Sequence, residues 1–320
     1  MTSTGQNFGV LLPTRGVLVY PQAGIPRVEL NWEMALTAEE LGLDSVWVGD
    51  SITSKPRLEA LTTMAAVAAR TKRVRIGTAV MLTALRHPVH LAHQVATVDR
   101  ISNGRVLLGV GAGRGDNAMY VKEHAAVGVP IKERAARMEE GLNVLRALWT
   151  QPSVTSDGPY YPLDEIALEP KPVQQPVPFW VSSNLIRQGL RRVARMGDAW
   201  ITNITTPEGF HDCWEQILQF GQDIGRDVSS LPRCLYISVN LNEKNEAMRE
   251  GGQFMMDYYG RPYEAVSRQL LCVFGPPQET IETILRYKEQ GATYFIVRFA
   301  SPNQISQMET FAREVLPHVG

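Results

Sequence analysis

Short apolar runs alternate with stretches of helical period along almost the whole chain. FGVLLP (8–13), SVWVGD (45–50), RIGTAV (75–80), RVLLGVG (105–111), PFWVSS (178–183), AWITN (199–203), CLYISVN (234–240) and TYFIVRF (293–299) read as strands. Helical patterns fill the spaces at 27–41, 56–71, 87–102, 132–149, 186–197, 207–225, 246–271 with a break near Pro262, 277–290 and 304–316. In the third of these, Leu91, Val95, Val98 and Ile101 recur at spacings of four, three and three, which is one face of a helix. Gly42 and Gly291 stand where helix-ending glycines belong, and Pro56, Pro88 and Pro277 stand near first turns. No helical period is visible between Gly111 and about residue 131, and the proline-rich 151–177 segment reads as a long ordered loop.

Most of the strand runs lack apolar/polar alternation, which points to strands buried on both faces. Regular β-then-α order argues for a parallel sheet. Eight such units in 320 residues fit an α/β fold of the (β/α)8 TIM-barrel class with insertions, as a single domain over 1–320. An open doubly wound sheet has the same periodicity and is the alternative.

Composition narrows the function classes. The chain is 44% hydrophobic and 20% charged, ordinary for a globular protein. A net charge of −1 without blocks of like sign lacks the footprint of a nucleic-acid binder. Cys213, Cys234 and Cys272 are far apart and form no CxxC pair, which suits a reducing compartment. MTSTGQNFGVLLP has no charged leader, and no run approaches the about 18 apolar residues of a membrane span, so a cytoplasmic protein is expected.

In a barrel of this class, functional residues lie at the carboxyl ends of the strands. Those ends carry Asp50 and Ser51, Thr78 to Met81, Gly111 to Gly113, Ser182 to Asn184, Thr202 and Asn203, and Arg298. VLLGVGAGRGDN (106–117) places glycines at 109, 111, 113 and 115. It is not a dinucleotide fingerprint: Arg114 stands where GxGxxG needs glycine, and no helix opens inside it. The glycines either let a ligand approach the backbone or relieve crowding inside the barrel. Ser182, Ser183 and Asn184 precede a helix and suit either an anion or an ordinary N-cap. Asp50 can accept a hydrogen bond or proton from a ligand, or cap the 51–55 loop. His87, His90 and His93 lack a shared helix face and a carboxylate partner motif, so His87 reads as the N-terminal end of the helix that Pro88 opens rather than as a metal ligand. Neither a GxSxG elbow nor a GxxxxGK[ST] loop is present.

LRHPVHLAHQVATVDRISNGRVLLGVGAG (85–113) resembles the signature of the bacterial luciferase-like flavin oxidoreductases. AEELGLDSVWVGD (38–50), ERAARMEEGLNVLRALW (133–149), PFWVSSN (178–184), ARMGDAWIT (194–202) and FGPPQETIETILRYKEQG (274–291) extend the likeness, in order, over nearly the whole chain. The resemblance implies a TIM barrel that holds a flavin-type ring at the strand ends. It places the ring against a bulge in the third strand, often with a non-proline cis peptide, at Gly77, Thr78, Ala79 and Val80. Gly111 and Gly113 would flank the cofactor, and Ser182, Ser183 and Asn184 would hold its phosphate. Family members that use FMN often show Glu-His-His after the second strand, and those that use the deazaflavin coenzyme F420 often show Asp-His. Asp50-Ser51 keeps the Asp of the F420 branch and departs from both at the His.

The resemblance therefore implies hydride transfer between F420 and a small organic substrate, with Asp50 and Ser51 as the catalytic pair at the ring. The alternatives are an FMN monooxygenase fed by a flavin reductase, and a barrel that binds flavin without turnover. A homo-oligomer follows by analogy. The Gly113–Asn117 loop and the 151–177 segment are expected to wall the substrate side.

Overall fold

The computed structural model describes residues 7–21 and 24–320, so residues 1–6, part of the stretch read for a leader, lie outside it. Its strands are β1 (Phe8–Leu11), β2 (Ser45–Val48), β3 (Arg75–Thr78), β4 (Val106–Val110), β5 (Val154–Ser156), β6 (Leu163–Ile166), β7 (Phe179–Ser182), β8 (Ala199–Thr202), β9 (Arg233–Leu241), β10 (Cys272–Gly275) and β11 (Tyr294–Phe299). Parallel ladders run β1–β2–β3–β4–β7–β8–β9–β11 and return from β11 to β1. That is a closed (β/α)8 barrel, and its eight strands are the eight apolar runs.

Two glycines explain how the barrel base is filled. Trp47 on β2 points inward, and a Cβ on Gly9 or Gly77, in the strands to either side, would lie 2.4 or 2.3 Å from the indole. Trp47 packs on Trp180 with ring centroids 5.2 Å apart, and Trp180 meets Tyr294 edge-on at 4.9 Å. The indole N–H donates to Ser45 Oγ (2.5 Å), which also bonds the Tyr294 hydroxyl (2.6 Å). Leu11, Leu107, Ile201 and Ile296 complete this buried layer. The base is a packed plug, so a ligand can enter only from the carboxyl ends of the strands.

Several elements differ from expectation. Pro56 lies in a loop, and the helix Ala60–Ala68 is opened by Glu59, whose carboxylate accepts from Thr62 N–H (2.7 Å). Ile101 leaves the apolar face and is 47% exposed, because the helix Pro88–Ser102 turns Ser102 inward instead. Ala118–Ala126 is a helix where no period was visible, since its buried residues are Glu123 and His124. β10 pairs in parallel with Ser238–Leu241 of β9 and lies outside the eight runs. The 151–177 segment contains the β5–β6 hairpin and does not wall the mouth. It runs along the outer helices: Glu140 accepts from the N–H groups of Tyr160 and Tyr161, Tyr161 packs on His87, and Gln174 reaches Asp99 and the Val106 carbonyl at the barrel base.

Candidate functional site

The third strand ends in a non-proline cis peptide between Ala79 and Val80. Around it the backbone of β3 crosses toward β4. Thr78 Oγ1 donates to the Gly109 carbonyl (2.6 Å), Met81 N–H donates to the same oxygen (2.7 Å), and Gly111 N–H donates to Met81 O (3.0 Å). Glycines make that approach possible. A Cβ on Gly109 would lie 1.8 Å from the Thr78 carbonyl oxygen, and one on Gly111 would lie 2.7 Å from Val80 Cγ2. The result is a shelf of Ala79, Val80 and Gly111 at the strand ends, with Ala79 and Val80 half-buried. Thr78 is buried in its support, Gly77 sits a layer lower against Trp47, and Gly113 turns the chain away with φ +71°.

Asp50 lies beside the shelf with its side chain 1% exposed. Its two oxygens receive both terminal nitrogens of Arg86, at 2.8 and 2.9 Å, and Oδ2 also accepts from Leu82 N–H (2.9 Å). A fork-to-fork pair of this kind fixes both planes. Arg86 in turn reaches Glu59 (3.1 Å). Asp50 thereby clamps the segment that follows Val80.

Ser51 is buried, and its hydroxyl is spoken for. It donates to Glu123 Oε1 (2.8 Å), contacts Ser54 Oγ (2.9 Å) and accepts from Lys55 N–H (2.9 Å). Glu123 is wholly buried and gathers the turn: Ile52, Thr53 and Ser54 N–H groups reach Oε1 at 2.6, 2.9 and 3.1 Å, and Ser54 Oγ reaches Oε2 at 2.7 Å. Burial alone would raise the Glu123 pKa, but these hydrogen bonds hold it down at about 2.

Ser182, Ser183 and Asn184 sit across the mouth at the end of β7. Ser183 is buried, and a Cβ on Gly189 would lie 2.2 Å from its Oγ. Asn184 bridges to β8: its Oδ1 accepts from Thr202 Oγ1 (2.9 Å) and its Nδ2 donates to Asn203 Oδ1 (2.5 Å). The helix Arg187–Met196 that follows has no side-chain cap, so the N-cap reading of these residues fails. Uncapped N–H groups at a helix start favour an anion.

Two functional groups escaped sequence reasoning. Glu123 lies on a helix without an apolar stripe, so periodicity carries no trace of it. Arg86 stands one residue before the helix cap His87, whose Nδ1 accepts from Val89 N–H (3.3 Å), and only the tertiary fold turns it to Asp50.

Residues 6–294 match the profile of the luciferase-like monooxygenase family. The chain belongs to that family. It is 30% identical over 318 residues to an F420-dependent glucose-6-phosphate dehydrogenase of Kribbella flavida, covering 89% of this chain and 92% of that one. A protein of the same description from Amycolatopsis mediterranei is also 30% identical, over 314 residues, with the same coverage. Among solved structures, an F420-dependent secondary alcohol dehydrogenase in complex with an F420-acetone adduct superposes with a TM-score of 0.80 at 24% identity, covering 99% of this chain and all of that one. A monooxygenase from Streptomyces bottropensis superposes at 0.81 with 23% identity, covering 98% of this chain and all of that one. These last two likenesses carry the fold.

Proposed function

We infer that this chain is an oxidoreductase that transfers a hydride between coenzyme F420 and a small organic substrate. The observation that carries this reading is the near-full-length likeness to F420-dependent dehydrogenases, joined to a strand-end shelf in which a Cβ on Gly111 would intrude. The residues present fit a flat tricyclic ring with a phosphate tail. Ala79, Val80 and Gly111 form the flat support, with Gly77 and Thr78 packed beneath and Gly113 at its edge. Ser182, Ser183 and Asn184 with the uncapped helix behind them suit the phosphate.

When bound, the deazaflavin supplies or accepts a hydride at a ring carbon. The chain's own contribution is position. Asp50 holds Arg86 and Leu82 N–H, and so fixes the backbone beyond Val80. Ser51 and Glu123 fix the turn that carries Lys55 and Arg57 to the mouth. Asp50 and Ser51 spend their polar atoms inside the protein, so we assign them as positioning residues beside the ring rather than as its proton donors.

Side-by-side titration with F420 and FMN, following ring absorbance, tests this. F420 is expected to bind and to be reduced by a substrate, with no oxygen uptake in the presence of reduced FMN. Binding of FMN alone, with oxygen consumption, would overturn it.

A further inference from the structure

Four cations converge on one arc of the barrel mouth. Arg298 points inward from β11 and is 2% exposed. Its nitrogens donate to Ser238 Oγ (3.1 and 2.7 Å) and to the Tyr259 hydroxyl (2.7 Å), and its guanidinium stands 5.0 to 5.5 Å from the ring centres of Tyr236, Tyr258 and Tyr259. Arg15 follows β1 and donates to the Tyr258 carbonyl (2.8 Å) while lying over the same ring. Lys55 and Arg57 follow β2. Lys55 Nζ stands 5.1 Å from the Tyr259 ring centre and 5.6 Å from that of Tyr120.

Arg57 is the most telling. Its guanidinium lies over the end of β2, where a Cβ on Gly49 would sit 1.8 Å from Nη1. Its Nε is buried and has no hydrogen-bond partner. Gly49 thus leaves room for a cation that the protein then leaves incompletely satisfied.

Among the described residues none of these four cations is ion-paired with a carboxylate. The nearby acids are already engaged: Asp50 with Arg86, Glu123 with the 51–54 turn, Asp116 with Arg114. Like charges held together at low exposure repel, and burying them without an anion costs free energy. The repulsion is visible at Lys55, whose pKa is lowered to about 8 by burial and then by Arg57, Arg15, Arg114 and Arg261. Such a cluster focuses a positive field into the cleft.

Its position separates it from the cofactor's phosphate turn. In the strand order, β7 stands four places from β1, on the opposite side of the barrel. The cations occupy β11, β1 and β2, while the shelf and the Ser182–Asn184 turn occupy β3, β4 and β7.

We propose that this arc is the substrate's anion site, in which Arg57, flanked by Lys55, Arg15 and Arg298, receives an oxyanion — a carboxylate or a phosphate — carried by the substrate. The assignment rests on the oxidoreductase reading above and narrows its substrate class. Arginine suits the task because its planar fork meets two oxygens at once. The other source of such an anion is the cofactor's own acidic tail, and the experiment separates the two.

Calorimetric titration of the full chain with inorganic sulfate, beside titration with F420, tests the site in the wild type and in Arg57→Gln, Arg57→Lys and Lys55→Gln. Sulfate affinity is expected to fall about tenfold in Arg57→Gln, to recover in part in Arg57→Lys and to fall a few fold in Lys55→Gln, as loss of a charge-assisted hydrogen bond implies. F420 affinity should hold within about twofold, and both ligands should bind together. Unchanged sulfate affinity in Arg57→Gln and Lys55→Gln overturns the proposal. So does competition between sulfate and F420 with parallel loss of F420 affinity, which would give the cations to the cofactor tail. Sulfate binding through Arg57 in a chain that ignores F420 would remove the proposed function and leave the anion site standing. Lys55→Gln alters a partly exposed side chain, so it keeps the test decisive if Arg57→Gln fails to fold.

Discussion

Asp50 and Arg86 meet through two parallel hydrogen bonds of 2.8 and 2.9 Å, in a place where the carboxylate is almost sealed from water. A pair of this kind contributes most by what its loss leaves behind. In Arg86→Ala the Asp50 carboxylate keeps only the Leu82 N–H. We expect about 3 kcal/mol of destabilisation in urea unfolding, together with weaker F420 binding, because an uncompensated buried charge remains. Asp50→Asn should cost less stability. Equal stability of Arg86→Ala and wild type would refute the clamp.

Glu123 makes stability depend on pH in the acid range. Its folded pKa of about 2 lies below the ordinary value of 4.5. The stabilisation it provides is therefore complete above about pH 4.5 and is lost as the pH falls toward 2. Melting temperatures recorded from pH 6 to pH 2.5 should fall less steeply for Glu123→Gln than for the wild type, from a lower starting point. Identical slopes would show that the 51–54 turn does not depend on the carboxylate.

Gly109 and Gly111 stand two residues apart yet should respond differently to alanine. At Gly109 the new methyl meets the Thr78 carbonyl, which is backbone and cannot step aside. Gly109→Ala should lower stability by 3 kcal/mol or more, about the upper end for overpacking. At Gly111 the nearest atom is the end of the Val80 side chain. Gly111→Ala should fold nearly as well and lose about tenfold in F420 affinity, since a methyl displaces the ring from its support. Unfolding curves and absorbance titrations of the two variants separate these outcomes.

Lys55 should give anion binding a pH dependence. Below about pH 8 its amine is charged and attracts an oxyanion; above it the charge is lost. Sulfate affinity measured from pH 7 to pH 9.5 should decline through that region in the wild type and stay level in Lys55→Arg, because guanidinium remains protonated there. Arg15, Arg57, Arg114 and Arg261 face the amine, and the Tyr120 and Tyr259 rings beside it present π faces.

The barrel was legible in the sequence because its strands are continuous apolar runs punctuated by Gly and Pro, and both-face burial leaves that mark. Ala79, Val80 and Gly111 were placed through family resemblance, and the structure adds which atoms each glycine accommodates. The Ala118–Ala126 helix was not legible, for its inward residues are a carboxylate and an imidazole, and apolar period is the signal a sequence offers. The engagement of Asp50 and Ser51 was equally hidden: their partners Arg86 and Glu123 lie 36 and 72 positions along the chain. Spacing alone cannot join residues that only a closed barrel brings together.

The long strand β9 is shared in an unusual way. Its first residues, Arg233 to Leu235, ladder with β8, while Ser238 to Leu241 ladder with β10. Near the mouth β10 thus takes the place beside β9 that β8 holds near the base, and among the described residues no ladder joins β10 to β8. The barrel is laced shut around its indole-filled base and, toward the mouth, lets β8 and β9 part, with β10 as the new neighbour of β9.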